Sequence, residues 1–345
     1  MRPIIFFHPC NDYTGSTRVL SNVISEKYYN EEVVIVTEKN GNQGFLSEHK
    51  NVRIINVLNP KLCGKSIPVL SSFVWRFCAT FITILVGWKY KTFYINTLIP
   101  YYAALLGRFM GKTIIWHVHE KFVERPLSVR LIEYVFNNTP AHRIFVSHYV
   151  KGVYMRSNSC TEEVIYNRLS KTFVDRVNIR PLEERSRNII SMFSSLTAAK
   201  GVDMFVKLAK ALPEYSFRLI ASTNMKNVEK FISDNNVPSN CQIFPAQSDI
   251  HPFLYDTDLV LNLSNPSLWV ETFGMTILEA MPYGIPAIVP NIGGPKELVQ
   301  DGYNGYCVDV RDLDMLKYYI KISLDRENYK RLVKNVLFLY KTKFS

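Results

Sequence analysis

The 345-residue chain contains no CxxC pair. Its six cysteines, Cys10, Cys63, Cys78, Cys160, Cys241 and Cys307, are scattered singly, which indicates neither a zinc site nor a disulfide framework. Reduced thiols in a cytosolic protein are the expectation. The first strand–loop–helix carries neither GxGxxG nor GxxxxGK followed by Ser or Thr, so a dehydrogenase reading loses its support. The longest apolar stretch, Phe73 to Trp88, is shorter than the roughly 20 residues a bilayer span needs, and Arg76 interrupts it. Met1-Arg2-Pro3-Ile4 enters a strand at once, without a signal-peptide pattern. Acidic residues are absent between His49 and His119, where nine basic ones stand. Residues 1–170 carry 20 basic against 11 acidic residues, and residues 171–345 carry 21 against 19. That field would attract an anionic surface or an anionic acceptor. Nucleic acid is excluded because no recognition motif accompanies the charge.

A composition 47% hydrophobic and 21% charged describes a globular chain long enough for two domains. Short apolar runs alternate with helical patterns, the signature of parallel sheets with helices on both faces. Phe73 to Trp88 reads as an amphipathic crossover helix. With Trp75, Trp88, Lys65, Lys89 and Lys91 about it, the same helix could rest on a membrane. Tyr255-Asp256-Thr257-Asp258 offers a DxD, but it precedes a strand, whereas ligands gather at the carboxyl ends, so it reads as structural. His117 and His119 share one face of a strand, yet no third or fourth metal ligand is visible. No metal is expected. The polar, basic stretch Ser170 to Arg187 reads as a linker.

The densest stretch is Ser264 to Val308. A strand, Leu259 to Leu263, ends in a polar turn, and a helix is expected from about Thr272 to Tyr283. A second strand, Ala287 to Val289, leads to Asn291-Ile292-Gly293-Gly294, and Pro295 follows where a first helical residue is favoured. Glu271 and Glu279 stand eight residues apart, a helical span of about 12 Å. Two glycosidase carboxylates sit closer, roughly 5–9.5 Å apart. The spacing suits two carboxylates holding the ends of one extended ligand, with backbone N–H groups near Gly274 facing an anion between them. Such a ligand is a nucleotide-diphosphate sugar. The plain alternative has Glu271 capping the helix and Glu279 on its solvated face.

From Pro266-Ser267 through Glu271-Thr272-Phe273-Gly274, Leu278-Glu279-Ala280-Met281, Gly284-Ile285-Pro286, Gly293-Gly294, Glu297-Leu298-Val299 and Asp301-Gly302 to Gly305, the stretch resembles one family. This is the retaining nucleotide-sugar glycosyltransferases of the GT-B fold, family 4 (glycosyl transferases group 1). The resemblance implies an α/β chain of two Rossmann-like domains facing across a cleft, acceptor-side residues 1–170 and donor-binding residues 171–345. It implies catalytic roles for Lys200, Glu271 and His119. Glu271 would meet the transferred sugar and Glu279 the ribose. Phe273, Gly274 and Met275 would offer N–H groups, with Gly15, Arg18 and Ser195 also at the donor.

Four departures stand out. Only Gly15 remains of a family glycine pair, Glu120 follows His119 where Asp is commoner, and Arg168 replaces a hinge Gly. Ser195 occupies a family Arg position, and a hydroxyl cannot make bidentate bonds to phosphate, so Arg18 is a candidate to supply that charge. Asp312 to Leu339 is expected to be helical; relatives usually continue into a last helix beyond a point such as Lys343-Phe344-Ser345.

The implied reaction moves a sugar from a UDP-sugar to an acceptor hydroxyl with retention, without metal or other cofactor and without a protein base. A glycan or lipid-linked acceptor in bacterial surface polysaccharide or lipopolysaccharide assembly is expected. So is a cytoplasmic chain peripheral on an anionic inner membrane face. The alternatives are a sugar-nucleotide-binding regulatory subunit and a GT-B enzyme of another chemistry, an epimerase or phosphorylase.

Overall fold

The computed structural model describes residues 4–39, 44–57, 80–122, 126–154 and 160–345. The chain divides into two compact units, Met1–Asn167 and Arg168–Ser345.

The first unit is built on seven parallel strands: β1 (Ile4–Cys10), β2 (Val33–Lys39), β3 (Val52–Asn56), β4 (Thr92–Asn96), β5 (Thr113–Val118), β6 (His142–Phe145) and β7 (Thr161–Val164). Their order is β3-β2-β1-β4-β5-β6-β7. Winding starts at β1, runs outward one way, then returns to β4 on its other side. The switch point of the sheet therefore lies between β1 and β4, with Phe7 in register with Ile95. Phe6, Phe7, Phe93, Ile95, Trp116 and Val118 are buried, as strands covered on both faces require.

Of the expected helix Phe73 to Trp88, residues 73–79 lie outside the described residues, and residues 80–87 are helical. Thr83 and Gly87 face inward, and a Cβ on Gly87 would stand 2.6 Å from the Phe93 ring. Phe81, Ile84, Leu85 and Trp88, spaced i, i+3, i+4 and i+7, are all exposed. The outward face is thus the apolar one. Among the described residues no helix is long and apolar enough to cross a membrane.

The second unit has six parallel strands: β8 (Ile189–Ser194), β9 (Ser216–Ala221), β10 (Cys241–Phe244), β11 (Leu259–Leu261), β12 (Ala287–Pro290) and β13 (Gly305–Val308). Their order is β10-β9-β8-β11-β12-β13, with the switch point between β8 and β11. The helix Val202–Ala211 buries Val202, Phe205, Val206, Leu208 and Ala209. Phe205, Phe217, Leu259, Ile288, Leu316 and Leu332 join in one core.

Three expectations are corrected. The stretch Ser170 to Arg187 is no free linker but is packed into the second unit. Ser170 caps the short helix Lys171–Val174 by accepting from Phe173 N–H. Arg180 is buried against Asp258, and Arg185 donates to the carbonyls of Arg180, Tyr283 and Gly284 and to Tyr329 Oη. A buried guanidinium needs such partners, and here the fold supplies them.

The expected helix Asp312 to Leu339 is two helices, Leu313–Leu324 and Arg326–Leu339. Asp325 ends one and caps the other by accepting from Glu327 and Asn328 N–H.

Around Glu271 the helix begins later than expected, at Met275, because Gly274 takes a left-handed φ of 103°. It closes after Ala280 into a short 3₁₀ turn, Met281–Tyr283. Glu271 therefore sits in a loop, and the helical span of about 12 Å to Glu279 does not apply.

Candidate functional site

In the second unit, the loops after β8 and β11 meet at the switch point. The β8 loop turns through Ala198–Lys200 into the helix Val202–Ala211 at Gly201. Gly201 has φ 74°, and a Cβ there would stand 2.1 Å from the Leu263 carbonyl oxygen. Only glycine lets this loop lie against the end of β11. Asn265 N–H donates to the Ala199 carbonyl and holds the two loops together. The result is an ion pair: Lys200 Nζ lies 2.6 Å from Glu271 Oε2, with Trp269 on another side of the ammonium at 5.4 Å. Both members are partly exposed, at 25% and 22%.

A third loop supports them. Gly294 N–H donates to the Glu271 carbonyl, and a Cβ on Gly294 would stand 2.0 Å from the Thr272 carbonyl oxygen. The glycine pair thus lets the turn after β12 press directly on the backbone that presents Glu271. Phe273 and Gly274 are buried and Met275 is partly so. As first-turn residues, Met275 and Thr276 have N–H groups with no intrahelical acceptor. Glu279 is 4% exposed, which overturns the alternative of a solvated helix face.

Ser195 is partly buried and lines a cavity of about 390 Å³ with Thr197, Ser222, Thr223, Asn227 and Lys230. Lys230 is a cation that sequence reasoning missed; its proximity to Ser195 depends on the β9 crossover and has no local signal.

The DxD is structural. Asp258 is fully buried and accepts from Arg180, Ser186 Oγ, Asn188 N–H and Ile189 N–H, while Asp256 pairs with Arg218 at 3.2 Å. Among the described residues no group of His, Cys, Asp and Glu could hold a metal ion.

In the first unit, His119 follows β5 and sits in a buried polar chain at the switch point. His119 Nε2 lies 2.8 Å from Asn96 Oδ1, and Asn96 Nδ2 lies 2.9 Å from His8 Nδ1. His117 packs against His119 with ring centroids 4.3 Å apart and the planes tilted by 45°, and meets Tyr94 Oη at 2.9 Å. Burial lowers the pKa of His8 to about 4, that of His117 to about 3 and that of His119 well below its ordinary value. All three imidazoles are neutral at pH 7.

Glu120 does not extend outward. Both of its carboxylate oxygens accept from Leu98 N–H at 3.2 Å, and Oε2 accepts from His119 N–H. Burial pushes its pKa up to about 7 against those bonds. The turn it grips contains Thr97 at φ 79°, a strained conformation for a β-branched residue.

Gly15 is exposed and opens the helix Gly15–Lys27, with Thr14 at its N-cap. Arg18 lies over the Phe45 ring at 4.7 Å. The structure thus gathers Lys200, Glu271 and Phe273 to Glu279 in one unit, and His119 with the Gly15 helix in the other.

Residues 176–336 match the sequence profile of glycosyl transferases group 1. An uncharacterized glycosyltransferase of Methanocaldococcus jannaschii is 26% identical over 191 residues, 54% of this chain and 51% of that protein. The UDP-Gal:alpha-D-GlcNAc-diphosphoundecaprenol alpha-1,3-galactosyltransferase of Escherichia coli is 27% identical over 152 residues, 41% of this chain and 38% of that protein. The match spans about half the length of these curated relatives or less. Among solved structures, Anabaena HepE in complex with UDP and glucose superposes with a TM-score of 0.79 at 19% identity, over 100% of this chain and 96% of that one. The fold is GT-B, and the resemblance to glycosyl transferases group 1 read from Ser264 to Val308 is confirmed.

Proposed function

We propose that this chain is a glycosyltransferase that moves a sugar from a UDP-sugar to an acceptor hydroxyl with retained configuration. The observation that carries the reading is the Lys200–Glu271 pair at the switch point of the second sheet, with the Gly293-Gly294 turn pressed behind it. A cation beside a carboxylate suits a ligand carrying phosphate next to hydroxyls. Lys200 would stabilise charge on the departing diphosphate, and Glu271 would hold sugar hydroxyls. Glu279 would take the ribose, and N–H groups from Phe273 to Met275 the phosphate. With Lys200 supplying charge, no metal is required, and the leaving phosphate accepts the acceptor's proton.

The acceptor would bind the first unit. A lipid-linked or glycan acceptor in bacterial surface polysaccharide assembly fits the basic field there, and the E. coli relative acts on a diphosphoundecaprenol-linked sugar. The exposed stripe Phe81, Ile84, Leu85 and Trp88, flanked by Lys89 and Lys91, suits an anionic membrane surface on the cytoplasmic side.

A thermal-shift screen of nucleoside diphosphates and their sugars, with and without EDTA, tests the donor site. Stabilisation by UDP and a UDP-sugar, unchanged by EDTA, is expected. One observation favours a second reading, a binding subunit without turnover: Ser195 stands where the family has Arg. Stabilisation by a UDP-sugar without release of UDP in the presence of acceptor extracts would select it.

A further inference from the structure

Trp269 lies inside the stretch Ser264 to Val308 but outside the residues to which the family resemblance gives a role. It stands 38% exposed beside the Lys200–Glu271 pair. An indole left so far in water adds little to a core, and its position needs another account. Backbone bonds put it there. The Asn265 carbonyl accepts from Leu268 N–H at 3.0 Å and from Trp269 N–H at 2.8 Å, and its side-chain oxygen accepts from Ser267 N–H. The same residue donates its own N–H to the Ala199 carbonyl, one residue before Lys200. Val270 comes next and is buried, with a Cβ on Gly293 only 3.0 Å from its Cγ1, so the glycine turn after β12 pins it from behind. Trp269 and Glu271, on either side of Val270, both reach the Lys200 ammonium: the carboxylate at 2.6 Å, the ring centroid at 5.4 Å.

A ligand acts differently on these two partners. Sugar hydroxyls compete for the Glu271 carboxylate, and a phosphate competes with that carboxylate for Lys200. The indole face is open to neither exchange. It attracts a cation through its quadrupole, offers no lone pair to a hydroxyl and carries no net charge to repel a phosphate. Lysine is a point charge on a flexible four-carbon stem. Once its carboxylate partner is taken, a partner that the ligand does not displace is what keeps it in place.

We propose that Trp269 is a positioning residue whose ring holds the Lys200 ammonium toward the donor's phosphate after the donor has parted Lys200 from Glu271. The hold itself rests on the second unit alone; its use on a phosphate rests on the transferase reading. One loop thus supplies both holds on Lys200, Glu271 before the donor binds and Trp269 afterwards.

NMR of protein carrying ¹³C-labelled lysine tests the hold. The ε-methylene protons of Lys200, assigned through Lys200→Arg, should be shifted upfield by the indole ring, and should stay so when UDP is added. Trp269→Leu should abolish the shift. A Lys200 signal at the ordinary lysine position, or one that returns there with UDP bound, overturns the proposal. Affinity for UDP tests the use. Trp269→Leu should weaken it about fivefold with the melting temperature little changed, and Trp269→Phe should weaken it less. Mono-, di- and trifluorotryptophan placed at position 269 alone should weaken it stepwise, because fluorine withdraws negative charge from the ring face while nearly keeping its shape. A flat series would overturn the role of the ring toward the cation. In a Lys200→Ala background, Trp269→Leu should cost nothing further. An equal loss with and without Lys200 would show that the ring touches the nucleotide itself, which overturns the positioning role. If the wild-type protein binds no UDP, the transferase reading fails, and the lysine NMR still decides the hold.

Discussion

Lys200 Nζ lies 2.6 Å from Glu271 Oε2, although 71 residues separate them in the chain. Each group occupies the other's front. A diphosphate approaching Lys200 and a sugar approaching Glu271 would therefore exchange one ion pair for two new sets of contacts. Because both side chains are partly exposed, the pair itself contributes little to stability, on the order of 1 kcal/mol or less.

Lys200→Ala and Glu271→Ala should accordingly leave the melting temperature within a few degrees of wild type, while each lowers kcat by roughly 10²–10³. Steady-state rates of UDP release, set beside thermal melts of the same samples, check this. Normal rates in both variants would remove the pair from the site.

Stability should fall on acidification. The folded pKa values of His8, His117 and His119 lie below the ordinary 6.5, so each contributes stability that is complete above about 6.5 and lost as pH falls toward its folded value. Glu120 opposes them: its folded value of about 7 exceeds 4.5, so its protonated form favours the fold at low pH and that support is withdrawn as pH rises from 4.5 through 7. Three groups outweigh one, each histidine adding at most ~1.4 kcal/mol per pH unit to the slope. Urea midpoints should drop between pH 6.5 and 4.5, and Glu120→Gln should steepen the drop. A flat profile would show that the histidines are not held neutral.

Arg180→Ala should destabilise the protein by about 3–5 kcal/mol, because Asp258, fully buried, would keep its backbone and Ser186 bonds but lose its countercharge. Asp256→Asn, two residues away and half-exposed, should change stability by less than about 1 kcal/mol. Denaturation midpoints compare the two. A DxD used for metal would instead show a Mn²⁺-dependent stability that both variants abolish.

Vesicle co-sedimentation should show the protein pelleting with anionic lipids at low salt and releasing as salt rises. Leu85→Ser combined with Trp88→Ser should weaken pelleting without lowering the melting temperature, since both side chains already face outward. Absence of binding at low salt would leave the apolar stripe without a lipid role.

Much of the architecture could be read along the chain. The apolar runs Leu259 to Leu263 and Ala287 to Val289 fall on β11 and β12, because strands buried on both faces are continuous hydrophobic segments. The expected helix at Thr272 to Tyr283 was misplaced, since a left-handed Gly274 is a backbone state that residue periodicity does not report. The linker was misread for the opposite reason. Arg180 and Arg185 look like surface charges in a polar stretch, and only partners 78 and 144 residues away make them buried.

The same division holds at the candidate site. Sequence alone picked out the candidate residues: Glu271 and Glu279 flanking Gly274, Lys200 before Gly201, His119 at the end of a strand. Each lies within a local pattern, and local patterns are set by neighbouring residues. Tertiary structure decided their state: Glu271 paired with Lys200, Glu279 buried, His119 tied through Asn96 to His8 across 88 residues. Charge state, tautomer and burial depend on what the fold brings within about 3 Å, and parallel sheets bring together residues that are distant along the chain.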